Sequence, residues 1–128
     1  MVDILPQQEI YMTVKRLIHD LGYSVHEYLP DSSEYPFVHL GEQFEQRNWT
    51  NKDMPTGQTQ LTIHVWHTVR NRGSLTRMMN DIENEMWRLK STSRFSLEMN
   101  NTNKQVLTDT TTNTPLLHGI IEVDIHYH

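Results

Sequence analysis

The stretch LTIHVWHTVRNRGSLTRMMNDIENEMWRLK, residues 61–90, decides how the chain is read. It carries H-x-x-H, formed by His64 and His67, directly ahead of a helix-like run. In its first half Leu61, Ile63, Val65, His67 and Val69 alternate with Thr62, His64, Trp66 and Thr68. A period of 2 with β-branched residues throughout marks a strand, here over residues 58–69. Side chains three apart on a strand point to opposite faces, so His64 and His67 cannot share one ion. The zinc-binding H-E-x-x-H works because residues four apart on a helix point the same way. The pair is therefore read as part of a strand feeding a helix, with no metal role. Past the turn RNRGS, Leu75, Met78, Met79, Ile82, Met86 and Leu89 form one apolar helical stripe. Ser74 is the expected N-cap. The methionines read as core, and Asp81, Glu83 and Glu85 as a solvated face.

Upstream, Ile10, Tyr11, Val14, Leu17, Ile18 and Leu21 fall at three- and four-residue spacings, which predicts a helix over residues 6–21. Pro6 suits its first turn and Gly22 its stop. A short strand at residues 24–28, a turn-rich LPDSSEYP and a strand at residues 37–47 follow, with Gly41 at a bulge or bend. NWTNKDMPTG, residues 48–57, reads as a long hairpin loop. Downstream, residues 95–107 form a weaker, more polar strand whose NNTNK is a hairpin tip or a break. Residues 118–128 alternate again, with Ile121, Val123, Ile125 and Tyr127 on one side and Glu122, Asp124, His126 and His128 on the other. The expected architecture is a single α+β domain spanning residues 1–128, in the order α-β-β-β-α-β-β. It has a mostly antiparallel sheet and both helices on its apolar face.

Composition narrows the function classes. The 128 residues include 11 Lys+Arg and 16 Asp+Glu, a formal net charge of -5. Only Arg70, Arg72 and Arg77 gather around one turn, which argues against a sequence-reading DNA binder. Cysteine is absent, which excludes disulfides, cysteine zinc sites and a cysteine nucleophile. No apolar run is long enough to cross a membrane, and the first ten residues do not read as a signal peptide. The hydrophobic fraction of 36% is lean, which suggests apolar surface completed by partner subunits.

No nucleophilic triad, G-x-S-x-G or phosphate-binding glycine loop is present. His126 and His128, with Glu122 and Asp124, share a strand face that could bind a transition metal. Regular alternation of a terminal strand accounts for the same residues and is the preferred reading. No catalytic residue, cofactor or metal is therefore expected. Trp49, with Met54 nearby, is a large aromatic in a polar loop. Either it anchors a partner or it folds back onto its own sheet edge.

Two segments, YPFVHLGE at residues 35–42 and the 61–86 run, together resemble the tail-completion or tail-terminator proteins of long-tailed phages and prophages. Pro36, Phe37, Val38, Leu40 and Gly41 match a Pro-aromatic-Val-x-Leu-Gly strand. Asp53, Gly57, Leu61, Thr62, Ile63, His64, Val65 and Trp66 match the following loop and strand. The likeness covers about the middle 50 residues of the sequence. One departure is that the chain contains no alanine, where relatives often have an Ala-rich second helix.

The resemblance implies a structural protein of the virion, assembled in the host cytoplasm. It would form a ring, a hexamer, on the head-proximal end of the tail tube. The ring would end tube growth, bind the tube protein and present a surface to the head connector or stopper, with DNA passing through unread. The candidate assembly contacts are Trp49, Lys52, Asp53, Met54, Arg70 and Arg72. Rival readings are a head-closure or other neck protein, a small metal-dependent enzyme using His118, His126, His128, Glu122 or Asp124, and a regulatory binding module.

Overall fold

The alternation around His64 becomes the centre of a five-stranded sheet in the computed structural model, which describes residues 5–30, 34–48 and 56–128. Helix α1 (Pro6–Asp20) is followed by the two-residue strand β1 (Val25–His26), β2 (Phe37–Asn48) and β3 (Thr56–Thr68). A 3-10 turn (Val69–Asn71) leads into α2 (Arg72–Arg88), and β4 (Leu97–Asp109) and β5 (Leu116–Tyr127) complete the chain. The strands lie in the order β1-β2-β3-β5-β4, antiparallel except for the β1–β2 pair. The α+β class and the element order are those read from the sequence.

Both helices cover one face. Ile10, Val14 and Ile18 of α1 and Leu75, Met78, Met79, Ile82 and Met86 of α2 pack on Val38, Leu40, Leu61, Ile63, Val65, Ile121, Val123 and Ile125. The methionines are core, as their stripe predicts. Pro6 opens α1. Gly22, at φ +96°, makes the left-handed turn that ends it. Gly119 lets α2 approach β5 closely. A Cβ built there would lie 2.5 Å from Met79 Sδ and 3.4 Å from Leu75 Cδ1.

Three readings need correction. Ser74 is not the N-cap, because α2 starts earlier, with Asn71 before it. The Ser74 hydroxyl instead meets His67 Nε2 at 3.2 Å. The polar NNTNK run neither turns nor breaks; it lies within β4, with a register shift between Met99 and Asn101. The α2 carboxylates are not merely solvated. Glu83 holds Lys104 at 2.8 Å and accepts from Thr102, and Asp81 accepts from Tyr23. These bonds dock α2 on β4 and on the end of α1 with polar contacts where apolar ones are few.

Replacing Gly119 with alanine is expected to destabilise the fold by about 1–3 kcal/mol, as overpacking does. Because Met79 is what the new methyl group meets, Gly119→Ala combined with Met79→Ala should lose less stability than the two single losses added together. Urea unfolding of the four proteins measures this, and strict additivity would remove the proposed contact.

Candidate assembly surface

The face of the sheet away from the helices has no covering element among the described residues. Its side chains come from alternate positions of each strand, and register sets them in rows. Phe37, Trp66, His118 and Leu107 make one row across β2, β3, β5 and β4. His26, His39, His64 and Ile120 make the next, starting on β1.

The rings in these rows stack. Trp66 lies on His118 with centroids 3.9 Å apart and planes 8° apart. His64 stacks on His118 at 4.9 Å and on His39 at 5.4 Å. Phe37 meets Trp66 at 6.5 Å, Tyr35 at 5.6 Å and His26 edge-on at 5.7 Å. Such cross-strand ring pairs each stabilise a sheet by about 0.2–1 kcal/mol.

A hydrogen-bonded chain runs through the middle. Glu42 Oε1 lies 2.9 Å from His64 Nε2, and His64 Nδ1 lies 2.7 Å from His118 Nε2. An ionised carboxylate only accepts, so His64 Nε2 carries a proton. In the neutral ring Nδ1 then accepts from His118 Nε2–H, which fixes both tautomers. Gly41 makes room for this. A Cβ there would lie 2.7 Å from His64 Cδ2, so any side chain would displace the ring. The β2 register shift between Leu40 and Gln43 lies beside it, as the bulge reading of Gly41 anticipates.

Burial, and then the His64 ring, hold the His39 and His118 imidazoles below the usual histidine range. The hydrogen bond from His64 holds the Glu42 carboxyl below its usual range. On the helix side, burial also lowers His67, whose Nδ1 accepts from the Thr68 N–H at 2.8 Å.

His64 and His67 thus lie on opposite faces, as strand alternation requires. No group of three or more His, Asp or Glu among the described residues could hold a metal ion. His118 pairs with His64, while Glu122, Asp124 and His126 lie further down β5 on the open face. Asp124 accepts from Asn100 Nδ2 at 2.9 Å. The metal-enzyme residue set is therefore not brought together.

Trp49, Lys52, Asp53 and Met54 lie outside the described residues. Arg70 and Arg72 are exposed in the turn after β3. That turn is separated from the Asn48 and Thr56 ends of the hairpin by the 13 residues of β3, or about 43 Å of strand. The two described candidates, Arg70 and Arg72, therefore lie at the end of β3 away from the hairpin ends.

The cluster His39–His64–His118 was not found from sequence. Its members come from three strands, and only their open-face positions and Gly41 hint at it. The chain of imidazoles ties strands together and shapes a surface. Apolar groups around it are exposed: Phe44 is 59% accessible, Leu107 43% and Tyr35 39%. The Trp66 indole N–H is buried without a partner.

No known family's sequence profile matches the chain, and no curated protein matches it. Solved structures do share its fold. A chain in the virion of a native gene transfer agent (GTA) particle superposes with a TM-score of 0.56 at 12% identity, over 94% of both chains. A second solved structure gives a TM-score of 0.59 at 6% identity, over 94% of this chain and 92% of its own. At these identities the likeness is one of fold.

Protons bind His39, His67 and His118 less readily in the fold than in the unfolded chain. Their contribution is therefore complete above the ordinary histidine pKa of about 6.5 and is lost as pH falls through the folded values. Melting temperature should hold steady above about pH 7 and fall from about pH 6.5 downward, before the carboxylates titrate. His39→Gln with His118→Gln should flatten that upper part of the curve. An unchanged slope would show that these two rings do not set it.

Proposed function

We propose that the chain is a structural protein of a phage-type virion. In this reading it forms a ring, a hexamer, on the head-proximal end of the tail tube, stops tube elongation and presents the joining surface to the head connector. The observation that carries the reading is the end-to-end fold likeness to a virion chain of a gene transfer agent particle. The residues matched to tail-terminator proteins, Pro36 to Gly41 and Leu61 to Trp66, support it. In the fold these segments form β2 and β3, which build the aromatic and histidine rows of the open face.

The physical requirements of such a role fit the molecule. A subunit of a closed ring needs two different surfaces that meet head to tail. It needs no catalytic group. A net charge of -5 lets DNA pass without being retained, where a strongly basic lumen would hold phosphates. In sequence, Trp49, Lys52, Asp53 and Met54 precede the Thr56 end of β3, and Arg70 and Arg72 follow its Thr68 end. They are suited to contacts with the tube on one side and the connector or a neighbour on the other.

Deleting the gene from its phage or prophage and imaging the induced lysate by negative-stain electron microscopy tests the role. Filled heads beside separate, abnormally long tubes are expected. Tubes of normal length beside unjoined or leaking heads would move the protein to the head side of the neck, and intact infectious particles would overturn a structural role. Trp49→Ala and Met54→Asp proteins should melt within a few degrees of the parent yet give few joined particles. Normal particle yield from both would take the loop out of assembly.

A further inference from the structure

The two outer edges of the sheet are complementary. At one end β4 is 13 residues long and, beyond Leu97, pairs only on its β5 side among the described residues. Its guards as an edge strand are the register shift between Met99 and Asn101 and the inward-pointing Lys104. It contains no proline, and Lys104, which sits midway along it, is drawn aside to Glu83 at 2.8 Å. Asn101, Asn103, Gln105 and Leu107 are exposed along it.

At the other end β1 covers β2 only at Val38 and His39. Past the register shift, Gln43 to Gln46 pair with β3 alone among the described residues. Beside that edge lies an open trough of about 480 Å³, lined in part by Leu5, Gln7, Tyr11, Glu27, Gln43 and Glu45. Glu45 Oε2 is buried there without a hydrogen-bond partner, while Oε1 of the same carboxylate lies 3.7 Å from Arg47 Nε.

We infer that copies of this chain join head to tail by strand pairing, β4 of one seated on the outer edge of β2 of the next. The inference rests on the ring reading above and names the surface by which the ring closes. Direction agrees. Successive antiparallel pairings make β4 run opposite to β2, so a neighbour rotated about an axis along the strands brings the two together antiparallel. Faces agree as well. Lys104 and Glu45 both project on the helix side, where each has its own ion-pair partner, Glu83 and Arg47, and Phe44 and Gln105 both project on the open side. The contact is heterologous, uses each edge once, and would leave no free edge in a closed ring.

Because the chain has no cysteine, introduced thiols report the contact directly. Within one molecule β2 and β4 are three strand spacings apart, about 14 Å, and a disulfide reaches about 7 Å between Cα atoms. Any β2–β4 disulfide is therefore between molecules. Double variants placing Cys at Phe44 or Gln46 with Cys at Asn101, Asn103 or Gln105 put both thiols on the open face. Under mild oxidation, as concentrated protein and in purified particles, at least one pair should give a ladder of linked multimers. Phe44→Cys with Lys104→Cys, on opposite faces, should not. Particles that contain the protein but yield no open-face ladder would overturn edge pairing and leave the ring reading standing. Absence of the protein from particles would overturn the ring reading itself, and a ladder from the opposite-face pair would overturn the register of faces.

Discussion

Unbroken pairing between β3 and β5, from Gly57 with Tyr127 to Thr68 with Leu116, is the constraint on which the rest depends. Twelve consecutive pairs without a bulge fix which side chains go inward. Leu61, Ile63, Val65, Ile121, Val123 and Ile125 are all fully buried or within 1% of it. A one-residue slip of these strands would turn all six outward and bring Thr62, His64, Trp66 and Glu122 under the helices. At about 1.5–3 kcal/mol per side chain, that exposure costs on the order of 10 kcal/mol, comparable to the whole stability of a domain. No weaker contact could offset it. The central pair therefore dictates the face that α1 and α2 cover, and by elimination the face left open.

What the central pair does not fix is decided by smaller, polar terms. Both flanking strands have a register shift, β2 between Leu40 and Gln43 and β4 between Met99 and Asn101. On β2 the apolar inward positions stop at the shift, and on β4 only Val106 continues them past the shift. Beyond it β2 turns Gln43 and Glu45 inward, and β4 turns Thr102 and Lys104. Gln43 donates to Thr59 and to the Gln7 carbonyl, and Thr102 and Lys104 both bond Glu83. The sheet thus has a dry centre and hydrogen-bonded margins, which is how a chain with 36% hydrophobic residues still closes a core.

This division explains what the sequence revealed. The helices and the two central strands were legible because each carries one uninterrupted apolar period. β4 was legible only as a weak strand, since the extra residue at its register shift breaks the period and its inward groups are polar. The lack of a shared His64–His67 site followed from alternation alone. The His39–His64–His118 stack did not, because it needs the order β2-β3-β5, in which β5 inserts beside β3 ahead of β4 in space though after it in sequence. Gly41 was a visible clue to a bend. That its missing side chain makes room for an imidazole two strand positions from a tryptophan is a fact of register.

The same division bears on assembly. A monomer evolved to stay alone would cover Phe44, Leu107 and Tyr35 or guard its long edge with charge. Here the one lysine of β4 is tied back to α2, while a carboxylate oxygen on the far margin stays buried and unsatisfied. The unsatisfied oxygen lowers the stability of an isolated subunit. The two margins lie on opposite sides of the sheet and run in opposite directions. A symmetric dimer would pair like with like and leave the other margin open. Only head-to-tail repetition uses both, and repetition about an axis ends when the circle is complete. In the ring proposed above, rigid inward packing around β3 and β5 would hold the angle between subunits constant, which closure requires.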